Sequence, residues 1–225
     1  MSAKRHIKYA MSRGRRNGVF FVIIVIIAGL VIADRVGHKF IKRTVFNIEE
    51  PFDDRLKYHR KSFKISNIVD GDTVDVNIRD GKFDYTRIRL LGVDTPEVAF
   101  GKNEEMYFGN EASAFVKQLA MGKEVIVIID TLGDVRDRYN RLLAYLELPE
   151  GVVLNEEIIR AGMGYADLRF AHTEYDKYVQ LQDEAVGGQV GLWEEVMKEQ
   201  LPKWLQRENP GILKARTHES NSGLY

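Results

Sequence analysis

Apolar and polar positions divide this chain into a long uncharged block, a polar stretch and a region of short, alternating elements. The block runs from Gly18 to Ala33 (GVFFVIIVIIAGLVIA) and is apolar all round. Strand-like patterning begins at residue 62. Residues 62–69 form one run, and residues 73–78 alternate with Val74, Val76 and Ile78 on one face. Residues 85–93 form a third run, with Asp80-Gly81 as the turn signal before it. Helical spacing then takes over across 111–119, where Ala112, Phe115, Val116 and Leu119 fall at i, i+3, i+4 and i+7. Two more strands are predicted over 124–130 and 141–148, a short helix over 154–161, and a helix that starts near Thr173 and ends near Gly187-Gly188. Five short strands with about three inserted or following helices predict a mainly β, α+β fold, a small five-stranded barrel of the OB type.

The organisation that follows is a basic segment at 1–17, an apolar segment at 18–33, a linker at 34–60, a folded domain at 61–196 and a C-terminal extension at 197–225. Beyond Trp193 the chain reads as peripheral, with a helical turn or two over 197–205 and a mobile tail over 207–225. The apolar segment admits two readings. Sixteen residues at a helical rise of about 1.5 Å cover roughly 24 Å, somewhat less than a hydrocarbon core of about 30 Å, and snorkelling by Arg16 and Arg35 can bridge the difference. Six Lys/Arg precede the segment and four follow it closely, a bias that puts the N-terminus in the cytoplasm and the domain outside. Alternatively, the basic, apolar and small-residue order is that of a cleaved signal peptide and a secreted domain.

Charge sharpens this division. Residues 1–50 hold ten Lys/Arg and three Asp/Glu, so the neutral whole conceals an acidic remainder with a balance of −7. Such a domain has no general attraction for phosphate backbones, so any nucleic-acid chemistry requires basic groups concentrated in a cleft. There is no cysteine, which excludes thiolate metal sites, thiol nucleophiles and disulfides. The five histidines are scattered, so a metal would be held by oxygen.

Three charged segments interrupt the alternating region: Val69-Asp70-Gly71-Asp72-Thr73, Arg89 to Glu97 (RLLGVDTPE), and Asp137-Arg138-Tyr139-Asn140-Arg141. Taken singly they have ordinary explanations: Asp-Gly as a turn, Arg141 as a surface charge, Glu97 as a loop carboxylate. Asp72 shares strand parity with Val74 and Val76, which extends the core-facing row towards a barrel mouth. A hard cation wants carboxylate and carbonyl oxygens, which Asp72, Asp94 and the main-chain carbonyl of Thr95 can supply. Arg89 and Asp94 have opposite parity, so sharing a site requires a bend near Gly92.

Read together, VDGDTV (69–74), RLLGVDTPE (89–97), GNEASAFV (109–116), DRYNRLLAY (137–145), VLNEEIIRAG (153–162) and GLW (191–193) resemble the staphylococcal nuclease family across about residues 62–195. That resemblance implies a calcium-dependent nuclease hydrolysing phosphodiester bonds of DNA or RNA. By the same resemblance, Asp72, Asp94 and Thr95 would be the Ca²⁺ ligands, Glu97 the general base, and Arg89 and Arg141 the groups that bind the scissile phosphate. Arg138 and Tyr139 would contact the nucleotide. Two features depart from the family: the acidic domain, and Leu168 and Phe170 at positions where tyrosines often line the nucleotide pocket. The rival expectations are an inactive nuclease-like module that binds nucleic acid or protein at the membrane, and an envelope protein whose main feature is its anchor.

Overall fold

The computed structural model describes residues 54–99 and 105–213. The apolar segment at 18–33, with its two readings, lies outside the described residues, as does the chain beyond 213. Among the described residues, no helix is long and apolar enough to cross a membrane.

Five strands close a barrel: β1 (Lys61–Ile68), β2 (Thr73–Val76), β3 (Thr86–Leu90), β5 (Glu124–Ile128) and β6 (Leu142–Glu147), in the order β1-β2-β3-β6-β5. All neighbours are antiparallel except β3 and β6, where Arg89 pairs with Leu143 in a parallel register. Closure removes exposed sheet edges and puts one face of every strand into a common interior. In β3 the alternation is explicit: Thr86, Ile88 and Leu90 are buried, whereas Arg87 and Arg89 lie on the other face. In β5 the inward residues are Val125 and Val127. With Ile65, Val74, Val76, Leu142 and Leu146 they form the barrel core. Each fully buried aliphatic side chain contributes about 1.5–3 kcal/mol.

The predicted strands are all present; four are shorter than expected, and β1 keeps its length but starts one residue earlier, at Lys61. The third predicted run breaks after Leu90, and Val93–Asp94 (β4) pairs instead with Tyr165–Ala166 (β7) in a separate two-stranded sheet. Three principal helices follow the expected order: α1 (Gly109–Ala120), α2 (Leu154–Arg160) and α3 (Tyr175–Gly187). Helix α1 buries Ala112, Val116 and Ala120, the stripe its periodicity predicts. Within α2, Asn155 is wholly buried; its Nδ2 donates to the carbonyls of Leu91 (2.9 Å) and Ala144 (3.3 Å), and its Oδ1 accepts the Leu146 amide (3.1 Å). It fastens the helix to the strand ends from which the charged loops leave.

Both ends of the domain reach further than the sequence pattern indicates. Residues 54–58 are helical, and Tyr58 is fully buried in the barrel core. His59 Nδ1 accepts the Ile129 amide at 3.1 Å. The last part of the expected linker is therefore integral to the barrel. At the other end, 3₁₀ turns at Gly191–Glu194 and Lys198–Gln200 lead into a short helix, α4 (Lys203–Glu208). Leu192, Trp193, Val196, Leu201, Trp204 and Leu205 form a second core with Tyr165 and Val186. The expectation of a peripheral segment after Trp193 is corrected on this point. These apolar residues follow neither period 2 nor period 3.6, because the two turns and Pro202 break the segment, so the pattern conceals their burial.

Candidate active site

Arg89 leaves the outer face of β3 and turns back along the chain. Its Nη1 donates to the carbonyls of Leu90 (3.1 Å) and Val93 (2.5 Å), and its Nη2 lies 2.8 Å from Asp94 Oδ1 and 3.2 Å from Asp72 Oδ2. Gly92 makes this possible. Its φ of +74° is a left-handed conformation that glycine adopts without steric penalty, and it reverses the parity between Arg89 and Asp94. A side chain there would also lie 2.5 Å from the His172 ring.

Asp72 is buried at the start of β2. Its Oδ2 accepts the amide of Thr95 (3.0 Å) and the Thr95 hydroxyl (3.3 Å), and its Oδ1 accepts the Thr73 hydroxyl (3.0 Å). The first two charged segments are thereby tied together directly. Arg141 joins the third to them, since its Nη1 donates to Thr73 Oγ1 at 3.4 Å. The loop bearing Arg141 is organised by Asp137, which accepts the amides of Tyr139 and Arg141 at 2.9 Å and the Arg141 Nε–H at 2.7 Å. Arg136 anchors the same loop from behind. It pairs with Asp54 (2.5 Å) and Asp80 (2.6 Å) and donates to the Asn140 carbonyl at 2.9 Å.

Glu97 is exposed, yet it feels four of these groups. Partial desolvation raises its carboxyl above the ordinary value, Asp72 and Asp94 push the same way, and Arg89 and Arg141 oppose them. Its backbone is held by the Met106 amide, which donates to the Glu97 carbonyl at 2.9 Å. Gly109 packs against that same carbonyl so closely that a Cβ would collide with it. Burial raises the Asp94 carboxyl, partly offset by Arg89. Burial, and then Asp72, push Asp70 to about 7. Burial opposes the charge on Arg89, but Asp72 and Asp94 outweigh it and hold the guanidinium above its usual range. The site is a crowded set of acids interleaved with arginines.

The structure thus brings Asp72, Arg89, Asp94, Thr95, Glu97 and Arg141 together. Arg138 and Tyr139 stand at the outer edge: Tyr139 is 65% exposed, with Arg138 Nη2 2.7 Å from its hydroxyl and the Arg141 guanidinium 5.5 Å from its ring centre. Leu168 packs partly against the barrel core, whereas Phe170 is exposed. Several contributors escaped sequence reasoning. Asp70, in the first segment, carries only a turn signal. Arg136 sits one residue before the third segment. Arg169 and Trp204 both contact Asp94 Oδ2, at 3.2 and 2.8 Å, without any motif to mark them.

The donor set suits a hard cation. Carboxylate oxygens from two chain segments, Asp72 and Asp94, converge on one positive charge, the Arg89 Nη2. Among the described residues no three acidic or histidine side chains are grouped as a metal cage. A cation held here would need main-chain or solvent oxygen in addition.

Comparison with known proteins gives the family. Residues 87–195 match the family described as staphylococcal nuclease homologue. An uncharacterized protein of Bacillus anthracis is 32% identical over 154 residues, covering 67% of this chain and 70% of the relative. The thermonuclease of Staphylococcus hyicus is 30% identical over 136 residues, covering 60% of this chain and 77% of that enzyme. An uncharacterized endonuclease of Escherichia coli O157:H7 is 29% identical over 150 residues, covering 64% and 83%. The chain belongs to the staphylococcal nuclease family. Its closed five-stranded barrel fits the OB-like fold that the resemblance implies.

Proposed function

We propose that this chain is a calcium-dependent nuclease that hydrolyses phosphodiester bonds of DNA, RNA or both. The observation that carries the reading is the placement of Arg89 Nη2 between Asp72 and Asp94, with Arg141 linked to Asp72 through Thr73 and Glu97 within the field of all four. Asp72, Asp94 and the Thr95 carbonyl would hold Ca²⁺. Bound there, the ion supplies Lewis-acid polarisation of a phosphoryl oxygen.

The protein's own groups do the rest. Glu97, exposed and with a raised carboxyl pKa, accepts the proton of the attacking water. Arg89 and Arg141 present fork-shaped N–H donors to the oxygens that gather charge in the transition state, which lysine cannot do with the same geometry. Arg89 is engaged with two carboxylates and two carbonyls, so meeting a phosphate requires it to exchange some of those partners. Exposed Tyr139, with Arg138 beside it, contacts the nucleotide.

The apolar segment at 18–33 tethers this domain to the membrane, with the domain outside the cytoplasm; the basic residues ahead of the segment support that orientation. Digestion of plasmid DNA, single-stranded DNA and RNA in Ca²⁺ and in chelator tests the catalytic reading. Cleavage that requires Ca²⁺ is expected. Binding without cleavage would assign the domain to nucleic-acid docking instead.

A further inference from the structure

Asp94 has its two oxygens divided between different parts of the molecule. Oδ1 faces Arg89 inside the site, whose Nη2 also approaches Asp72 Oδ2. Oδ2 accepts the indole Nε1–H of Trp204 at 2.8 Å, from a residue 110 positions later and on α4. Arg169 Nη2 approaches the same oxygen at 3.2 Å. Arg169 is itself fixed by a bidentate pair with Asp167 (2.7 and 2.8 Å), and its guanidinium lies 4.5 Å from the Trp204 ring centre. Trp204 is 7% exposed and belongs to the second core, so its ring has a packing role. Packing alone does not demand the hydrogen bond. The chain's other tryptophan, Trp193, is wholly buried and its Nε1 has no hydrogen-bond partner.

An unrestrained carboxylate presents either oxygen. One with Oδ2 held by a donor keeps Oδ1 turned towards Arg89 and the site, and a bond to an anionic oxygen is among the stronger hydrogen bonds. Arg169 also holds Oδ2, but its charge competes with any cation at Asp94. The indole supplies a directed donor without that penalty. Outer partners of metal-binding carboxylates act in this way, and their loss weakens affinity by roughly 10–100-fold.

We propose that Trp204 is a positioning residue for Asp94, and that through it the C-terminal extension sets the cation affinity of the site. The inference rests on the reading of Asp94 as a calcium ligand. Its test is calorimetric titration of CaCl₂ into the full-length wild-type protein and Trp204→Phe, which keeps an aromatic ring and removes the N–H. About tenfold weaker calcium binding is expected, with thermal unfolding in chelator shifted by only a few degrees. In the wild type, the two indole N–H resonances give a second readout: Trp204 should move as calcium is added while Trp193 stays in place. Unchanged calcium affinity in folded Trp204→Phe overturns the inference and leaves the calcium reading standing. So does a Trp204 resonance indifferent to saturating calcium, which decides the matter if the variant does not fold. A wild type that binds no calcium overturns both.

Discussion

Arg89 Nη2 and Asp94 Oδ1 are 2.8 Å apart, although strict alternation would send the two side chains to opposite faces of one strand. The reversal is made at Gly92, in a left-handed conformation and against the His172 ring. Gly92→Ala must accept both the unfavourable φ and the collision. A destabilisation of about 2–4 kcal/mol is expected by denaturant unfolding, with a loss of cleavage because Arg89 and Asp94 are no longer held together.

Gly109 offers the complementary case. A methyl group there meets the Glu97 carbonyl, part of the main chain that carries the proposed base, and cannot be relieved by rotating a side chain. Gly109→Ala should reduce kcat by about tenfold or more, since small misplacements of catalytic groups are expensive in rate. The unfolding midpoint should fall as well, because the methyl meets main chain. Parallel kinetics and urea titrations check both expectations.

Much of this arrangement was legible in the residues. Val125 and Val127, or Thr86, Ile88 and Leu90, alternate because one face of each strand is buried, and that alternation survives in the sequence. The bend near Gly92 followed from parity once Arg89 and Asp94 were assigned to one site. What stayed hidden depends on tertiary contacts without a period. Tyr58 looks like one aromatic in a polar linker but fills the barrel, and Trp204 lies in a broken segment but reaches Asp94. Asn155 and Arg136 are ordinary polar residues until the strands they fasten are placed beside them.

A buried chain of polar groups behind the site sets an acid limit on stability. Asp130 Oδ2 accepts the Tyr145 hydroxyl (2.5 Å) and the Thr173 amide (2.8 Å), and the Tyr145 oxygen lies 3.1 Å from His172 Nδ1. Burial holds the His172 pKa below its ordinary value of 6.5, against the opposing pull of Asp130 and Asp167. The unfolded chain therefore takes up this proton more readily than the folded one. The contribution of His172 is full above pH about 6.5 and declines as pH falls below it. Asp130 acts at lower pH. Its burial is outweighed by the Tyr145, Leu132 and Thr173 hydrogen bonds, which depress its pKa, so its contribution is lost as pH falls through the depressed value. Asp70, pushed up to about 7, gives the opposite slope in the same window, so the histidine's share is read by difference: in denaturant midpoints from pH 8 to 5, the wild type should lose stability relative to His172→Phe as pH falls below about 6.5. His59, also lowered chiefly by burial, is present in both proteins and cancels in that difference.

The proposed ligands and the proposed phosphate-binding arginines should separate experimentally. Asp72→Asn and Asp94→Asn are expected to weaken calcium binding by at least the roughly 10–100-fold typical of losing an outer partner. Arg141→Ala should leave calcium binding near wild type and lower kcat by about 10²–10³-fold, the usual loss for one preorganised donor. Its links to Asp137 and Thr73 lie in a loop that Arg136 still anchors. Calorimetry beside steady-state cleavage distinguishes the two classes.

Single-turnover cleavage of an end-labelled oligonucleotide in saturating Ca²⁺, comparing wild type with Glu97→Gln, bears most directly on the site as a whole. Replacing an exposed carboxylate by its amide preserves shape and removes the proton acceptor, so a rate lower by about 10²–10⁴-fold is expected with calcium affinity little changed. A Glu97→Gln protein that cuts as fast as the wild type would contradict the account.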